Sequence, residues 1–325
     1  MLTDLTAAEL PHYRSAQADP SDFDDFWRAT LANARTYDLG VVVERVETAL
    51  TTIDVYDVTF AGYGGDPIKA WLRVPAGATG PLPTVVEYIG YGGGRGRAEE
   101  RLLFSASGFA HLVMDTRGQG SAWSVGDTPD PHGSVSHGPG FLTVGIDSPE
   151  NYYYRRVFTD AVRAVEAVRS LDIVDSSRVA VYGGSQGGGI SLAATALLGD
   201  VAASIFLVPF LCDFPRVTLI TDNDPYKEIG RYLNIHRDST EAVHRTLAYF
   251  DGVNFAKRAT TPALFTAALM DPICPPSSVY GAFNNYVGDK DITLWQYNGH
   301  EGGGTDDEIR AVHWFRDRFA EVETA

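Results

Sequence analysis

The chain has 325 residues, of which 44% are hydrophobic and 21% charged. That balance excludes a disordered or collagen-like polypeptide and suits one domain with a large core. Its 42 Asp and Glu against 26 Lys and Arg give a formal net charge of −16, which argues against nucleic acid as a partner because phosphate binding needs a basic surface. The longest apolar stretch, Val201 to Leu211, is far shorter than the roughly 20 residues of a membrane span, and the N-terminal residues lack the basic start and apolar core of a secretory signal. A cytoplasmic protein with no membrane partner is therefore expected.

In chain order, Ser21 precedes Phe23, Phe26, Trp27 and Leu31, the pattern of a capped amphipathic helix in an N-terminal helical extension of about residues 1–35. From Val41 to Val74 the text is rich in Val, Thr, Ile and Tyr with turn chemistry at GYGGDP, and it predicts antiparallel strands. After Pro75 six apolar runs, from PTVVEYIG to ITLWQYNG, alternate with helical patterns. This predicts an α/β fold whose mostly parallel central sheet is flanked by helices. One helix is predicted from about Phe158 to Leu171, with Phe158, Val162, Val165 and Val168 on one face. Another is predicted at the C-terminus, where Thr305 and Glu308 form a capping box. Two insertions interrupt the alternation: a Gly-, Ser- and His-rich stretch at about 118–145 and a polar, cap-like excursion at about 213–251. Insertions of this length usually carry function or assembly contacts, and residues 1–325 are read as a single domain around them. Cys212 and Cys274 are too few to hold a metal alone and are expected as buried thiols, so neither a metal nor a cofactor is expected.

The chemistry concentrates at RVAVYGGSQGGG, where Ser185 lies in a Gly-x-Ser-x-Gly between a buried strand and an apolar helix. That context defines a nucleophile held on a sharp strand-to-helix turn, where only small neighbours fit. A serine needs a base. His300 is the one late histidine placed at a strand end, whereas His313 falls inside the final helix and His12, His111, His132 and His137 precede the serine. Asp271, at the end of PALFTAALMD and before a Pro-rich turn, is read as the carboxylate that orients the imidazole; Asp251, Asp289 and Asp291 lie in segments that read as loop. Oxyanion donors are expected from the amide of Gln186, after the nucleophile, and from that of Tyr91 in the glycine-rich YIGYGGGRG. A phosphate loop is the competing reading of those glycines, but no Gly-Lys-Ser/Thr follows them.

Together RGQ (Arg117, Gly118, Gln119), GGSQGG at Ser185, MDPICPPS at Asp271 and GHEGG at His300 resemble carbohydrate esterase family 7, the acetyl xylan esterase and cephalosporin C deacetylase group of the α/β-hydrolase superfamily. DFDDFW, VPFLCDF and DPYKEIGRYL fit the same pattern, so the resemblance covers nearly the whole chain. It implies a Ser185, Asp271, His300 triad and an oxyanion hole from Tyr91 and Gln186. It also implies that Phe210 narrows the substrate pocket and that Arg117, Gln119 and Glu301 support the site. The implied activity is deacetylation of small acetylated substrates, xylo-oligosaccharides and cephalosporin C among them, by a homohexamer whose subunits touch through the 118–145 insertion. One departure is Ile89, where the family usually has histidine. Competing readings are another α/β-hydrolase, such as a short-chain carboxylesterase or peptidase, and a non-catalytic ligand-binding relative, although all three triad residues are present.

Overall fold

The computed structural model describes residues 4–133 and 138–324; residues 1–3 of the N-terminal extension and 134–137 of the first insertion, including His137, lie outside them. Among the described residues nine strands form one sheet. β1 (Val42–Val46), β2 (Ile53–Ala61) and β3 (Pro67–Pro75) pair antiparallel, as the Val- and Thr-rich text predicts. The six apolar runs become β4 (Leu82–Tyr88), β5 (Ala110–Met114), β6 (Val174–Gly184), β7 (Ala203–Leu207), β8 (Ala263–Ala268) and β9 (Lys290–Trp295). The order across the sheet is β1-β2-β3-β5-β4-β6-β7-β8-β9, with β3 antiparallel to β5 and every later pairing parallel. Strands β4 to β8 are buried along most of their length, which explains their continuous apolar text: both faces must be covered.

The covering helices are α1 (Phe23–Ala34), α2 (Leu103–Ala106), α3 (Tyr153–Arg169), α4 (Gln186–Leu198), α5 (Phe214–Ile220), α6 (Tyr226–Ile235), α7 (Thr240–Ala248), α8 (Gly252–Ala256), α9 (Pro276–Asn285) and α10 (Thr305–Thr324). Helix α3 starts five residues before its predicted boundary, because Tyr153, Tyr154 and Val157 are also buried and extend its core face. The excursion at 213–251 is helical, built from α5, α6 and α7; polar outer faces hide amphipathic helices whose inner faces carry Phe214, Val217, Ile229 and Leu247.

In the N-terminal extension Trp27 is 2% exposed, packs against Phe158, Phe250 and Phe255 and donates to the Tyr249 carbonyl at 2.9 Å. Its loss to alanine is expected to cost about 3–5 kcal/mol, so the extension is part of the main core. Ser21 does not cap α1: the helix follows Asp22, whose carboxylate accepts from the Tyr249 hydroxyl instead of an α1 amide. The capping box at α10 is also displaced. Thr305 is already helical, and Asp307, not Glu308, accepts the Gly303 amide at 2.8 Å. With Gly304 as the flanking residue, Asp307 is the third helical position, from which a carboxylate reaches back. Among the described residues no helix is long and apolar enough to cross a membrane.

Candidate active site

Strand β6 ends at Gly184 and α4 begins at Gln186, leaving Ser185 alone in the turn with φ 55° and ψ −121°. A non-glycine residue in that region costs roughly 1–3 kcal/mol, and the surroundings enforce it: the Ser185 amide donates to Leu207 and its carbonyl accepts from Phe210 and Gly189. The flanking glycines are steric requirements. A Cβ on Gly187 would lie 2.0 Å from the Tyr88 carbonyl oxygen, and one on Gly183 would lie 2.3 Å from the Gly187 carbonyl carbon.

The structure brings the three distant candidates together. His300 Nε2 is 2.9 Å from Ser185 Oγ, and His300 Nδ1 is 2.8 Å from Asp271 Oδ2. Asp271 is fully buried, and its Oδ1 accepts the Ile273 and Cys274 amides at 2.8 and 2.9 Å, so the Pro-rich turn fixes the carboxylate. Glu301 braces the His300 turn by accepting the Gly299 amide at 3.1 Å. The amides of Glu301 itself and of Gly299 hold its carboxyl below the usual range. The alternative acids are elsewhere. Asp289 and Asp291 are exposed, and Asp251, expected in a loop, is fully buried and accepts the amides of Asp213, Phe214 and Val253. Asp271, Cys274 and His300 place one potential metal ligand atom each within 4.8 Å. In that group Asp271 and His300 already bond each other, and burial keeps the Cys274 thiol protonated.

Neither the Gln186 nor the Tyr91 amide donates to another described group; Gln186 opens α4, where the first amides have no intrahelical acceptor. The Tyr91 loop is held from several sides. Its hydroxyl donates to Glu228 of α6 at 2.7 Å and accepts the amides of Gly140 and Phe141. Its carbonyl accepts the Trp123 indole N–H at 2.8 Å. Burial pushes the Glu228 carboxyl above its ordinary value, against the hydrogen bonds from Tyr91 and the Leu142 amide. Gln119 joins this loop to the nucleophile turn, accepting the Gly92 amide at 2.7 Å while donating to the Gln186 side chain at 2.9 Å. The Gln186 side chain in turn donates to the Ile89 carbonyl at 3.0 Å, so position 89 serves through its backbone.

Arg117 is fully buried and bonds Asp160 and Asp66, while its carbonyl accepts the Tyr153 hydroxyl. It clamps the loop after β5 without touching the cavity. Phe210, expected to line the pocket, stands behind the wall: it is fully buried between Tyr91 and Tyr226 and is absent from the cavity lining. Bulk there supports Tyr91.

Ser185 and His300 open on a cavity of about 530 Å³ bounded by Tyr91, Trp123, Pro225 and Ile273. At one end stand Glu87, Arg101, Tyr182 and Glu308. Glu87 pairs with Arg101 and lies 2.9 Å from His111 Nε2. Burial opposes its ionisation, but Arg101 and His111 outweigh burial and hold its carboxyl below the usual range. Sequence reading missed this end and Glu228, because each depends on side chains from remote elements and carries no local spacing signal.

A sheet with one antiparallel flank, a serine on the turn after β6 and a histidine after the last strand define an α/β-hydrolase with a Ser-His-Asp arrangement. The chain belongs to the acetyl xylan esterase (AXE1) family, whose model matches residues 1–318. Among solved structures it is similar to an acetyl xylan esterase from Paenibacillus sp. R4, with 38% identity, TM-score 0.88 and coverage of 95% of this chain and 99% of that one. It is also similar to acetyl xylan esterase 1 from Thermoanaerobacterium sp. JW/SL YS485, with 32% identity, TM-score 0.87 and coverage of 96% and 99%. A curated relative, the acetyl esterase Axe7A of Xylanibacter ruminicola, is 32% identical over 87% of this chain, which spans 64% of that relative's length.

Proposed function

We propose that this chain is a serine esterase that removes acetyl groups from acetylated xylo-oligosaccharides and related small acetates, cephalosporin C included, through an acyl-enzyme. The observation that carries the reading is the continuous path from Ser185 Oγ through His300 to buried Asp271, at 2.9 and 2.8 Å. In this mechanism His300 takes the Ser185 proton as Oγ attacks the acetyl carbonyl, and the amides of Tyr91 and Gln186 receive the developing oxyanion. His300 then protonates the leaving sugar oxygen, and water, activated by the same imidazole, releases acetate. Asp271 stays ionised and stabilises the imidazolium. No cofactor enters these steps.

The names of the relatives support the acetyl specificity, and the cavity volume suits a small ester. Release of acetate from acetylated xylo-oligosaccharides and from p-nitrophenyl acetate by the purified protein, abolished in Ser185→Ala, tests the reading. Hydrolysis of a peptide anilide in preference to either acetate would replace it with a peptidase. The homohexamer is proposed on the family resemblance, and light scattering that shows only monomer at micromolar concentrations would refute it. Two free, buried cysteines support residence in the cytoplasm.

A further inference from the structure

The site has two sides. In the proposed reaction the leaving oxygen must receive its proton from His300 Nε2, so the alcohol lies on the His300 side of Ser185. The segment after His300 reaches the same cavity: Glu301, Gly304 and Glu308 all stand on its wall. Glu87, Arg101, Tyr182 and Glu308 also border an adjoining cavity of about 320 Å³, which neither Ser185 nor His300 reaches. These four residues therefore mark the end of the site remote from the nucleophile, where the far part of an alcohol would lie.

The charges at that end do not cancel. Arg101, presented from a left-handed backbone at φ 55°, is engaged by Glu87. His111 behind them is fully buried, and burial, outweighing the attraction of Glu87, lowers its pKa. On the cavity wall itself Glu87 thus offsets Arg101, with Arg73 buried behind Glu87 and attracting it as well. Glu308 is left over: its carboxylate has neither a hydrogen bond nor an ion pair to another described side chain, and it feels Glu87 and Arg101 only through space. Glu301, also on the wall, is tied to backbone amides and not to a cation. Carboxylates therefore outnumber cations among the residues on this wall, in a partly enclosed space where Coulomb interactions exceed those in open water.

We propose that Glu308, with the Glu87–Arg101 pair behind it, sets the charge specificity of the leaving group. Neutral polyhydroxy and cationic alcohols are accepted, and anionic alcohols are discriminated against. The inference rests on the esterase reading and deepens it: cephalosporin C, which carries a carboxylate close to its acetoxymethyl group, ranks below neutral sugar acetates. Hydroxyl groups are suitable partners for Glu308, because an unpaired carboxylate accepts from them in geometries that a like charge cannot offer.

The test uses three acetates of similar shape: acetylcholine, its neutral carbon isostere 3,3-dimethylbutyl acetate, and 2-sulfoethyl acetate. They are compared in wild-type protein and in Glu308→Gln at about pH 8, where carboxylates are ionised. Because each ester meets both proteins, intrinsic reactivities cancel. Removing the charge is expected to shift the anionic-to-cationic ratio of kcat/KM about tenfold toward the anion, while the neutral ester changes less than about twofold. In wild type, raising salt to about 0.5 M should compress the cationic preference, a readout that holds even if the variant folds poorly. An unchanged ratio in Glu308→Gln, or a salt-independent preference in wild type, overturns the inference with the esterase reading intact. Failure of wild type to hydrolyse even the neutral ester overturns both.

Discussion

The turn that carries Ser185 and the loop that carries Tyr91 face each other across the site, yet they are secured in opposite ways. The Ser185 turn is written within a few consecutive residues, with glycines where any Cβ would collide with backbone. The Tyr91 loop has glycines too, but its position is set by Glu228, Gly140, Phe141, Trp123 and Gln119, which arrive from the two insertions. One half of the site is local geometry. The other is an assembly that exists only when distant segments are folded.

This contrast can be broken from either side. The largest effect is expected for Gly187→Ala, whose Cβ would sit 2.0 Å from a backbone oxygen that cannot move alone; little soluble folded protein should be recovered, as judged by size exclusion and circular dichroism. Ser185→Ala should keep the fold and lower kcat by about four orders of magnitude or more, with residual turnover from the oxyanion donors. Asp271→Asn should cost about three to four orders of magnitude in kcat with KM less affected, since the amide favours the wrong imidazole tautomer. A milder loss for Asp271→Asn than for Asp251→Asn would move the acid to another position. On the assembled side, Glu228→Gln leaves an amide N–H₂ facing a donor, either the Tyr91 hydroxyl or the Leu142 amide. A drop in kcat of about tenfold is expected, with an unchanged Tm to within a few degrees. If kcat is untouched, Tyr91 does not need the insertion.

The smallest effect sharpens the same comparison through the root of the cap insertion, where Asp251 anchors the start of α5. Burial, with a smaller contribution from Asp213, pushes its carboxyl up to about 7. The folded state therefore binds more protons than the unfolded state between about pH 4 and pH 7. Stability from this group is lost as pH rises through that window. Thermal melts should show Tm falling by a few degrees from about pH 5 to about pH 8, and Asp251→Asn should flatten the slope. Some slope should persist, because burial also raises Asp213.

The same division explains what could be read from the sequence. The six runs after Pro75, the antiparallel strands of the Val41–Val74 text, the Ser185 turn and the strand-end positions of Asp271 and His300 follow from periodicity and from glycine placement, which are local signals. The helices of the 213–251 excursion were hidden by their polar outer faces, and the burial of Asp251 was hidden because a run of polar text does not show which side chain turns inward. Phe210 was placed on the pocket wall by resemblance, whereas packing against Tyr226 holds it one layer back. Glu228 and Arg101 had no local signature, since each bonds a residue remote in the chain, and the local signature of Glu308, a capping box, belongs to Asp307.

The Trp123 indole has an optical consequence. It is 56% exposed, borders the cavity and holds the Tyr91 carbonyl, while none of the other four tryptophans among the five in the chain is exposed to that degree. Red-edge emission and collisional quenching by a neutral solute should therefore report mainly on this ring, making the protein its own fluorescent probe of the oxyanion loop. A product or inhibitor seated in the cavity would shield the indole and weaken quenching, so occupancy could be followed without a label and without turnover.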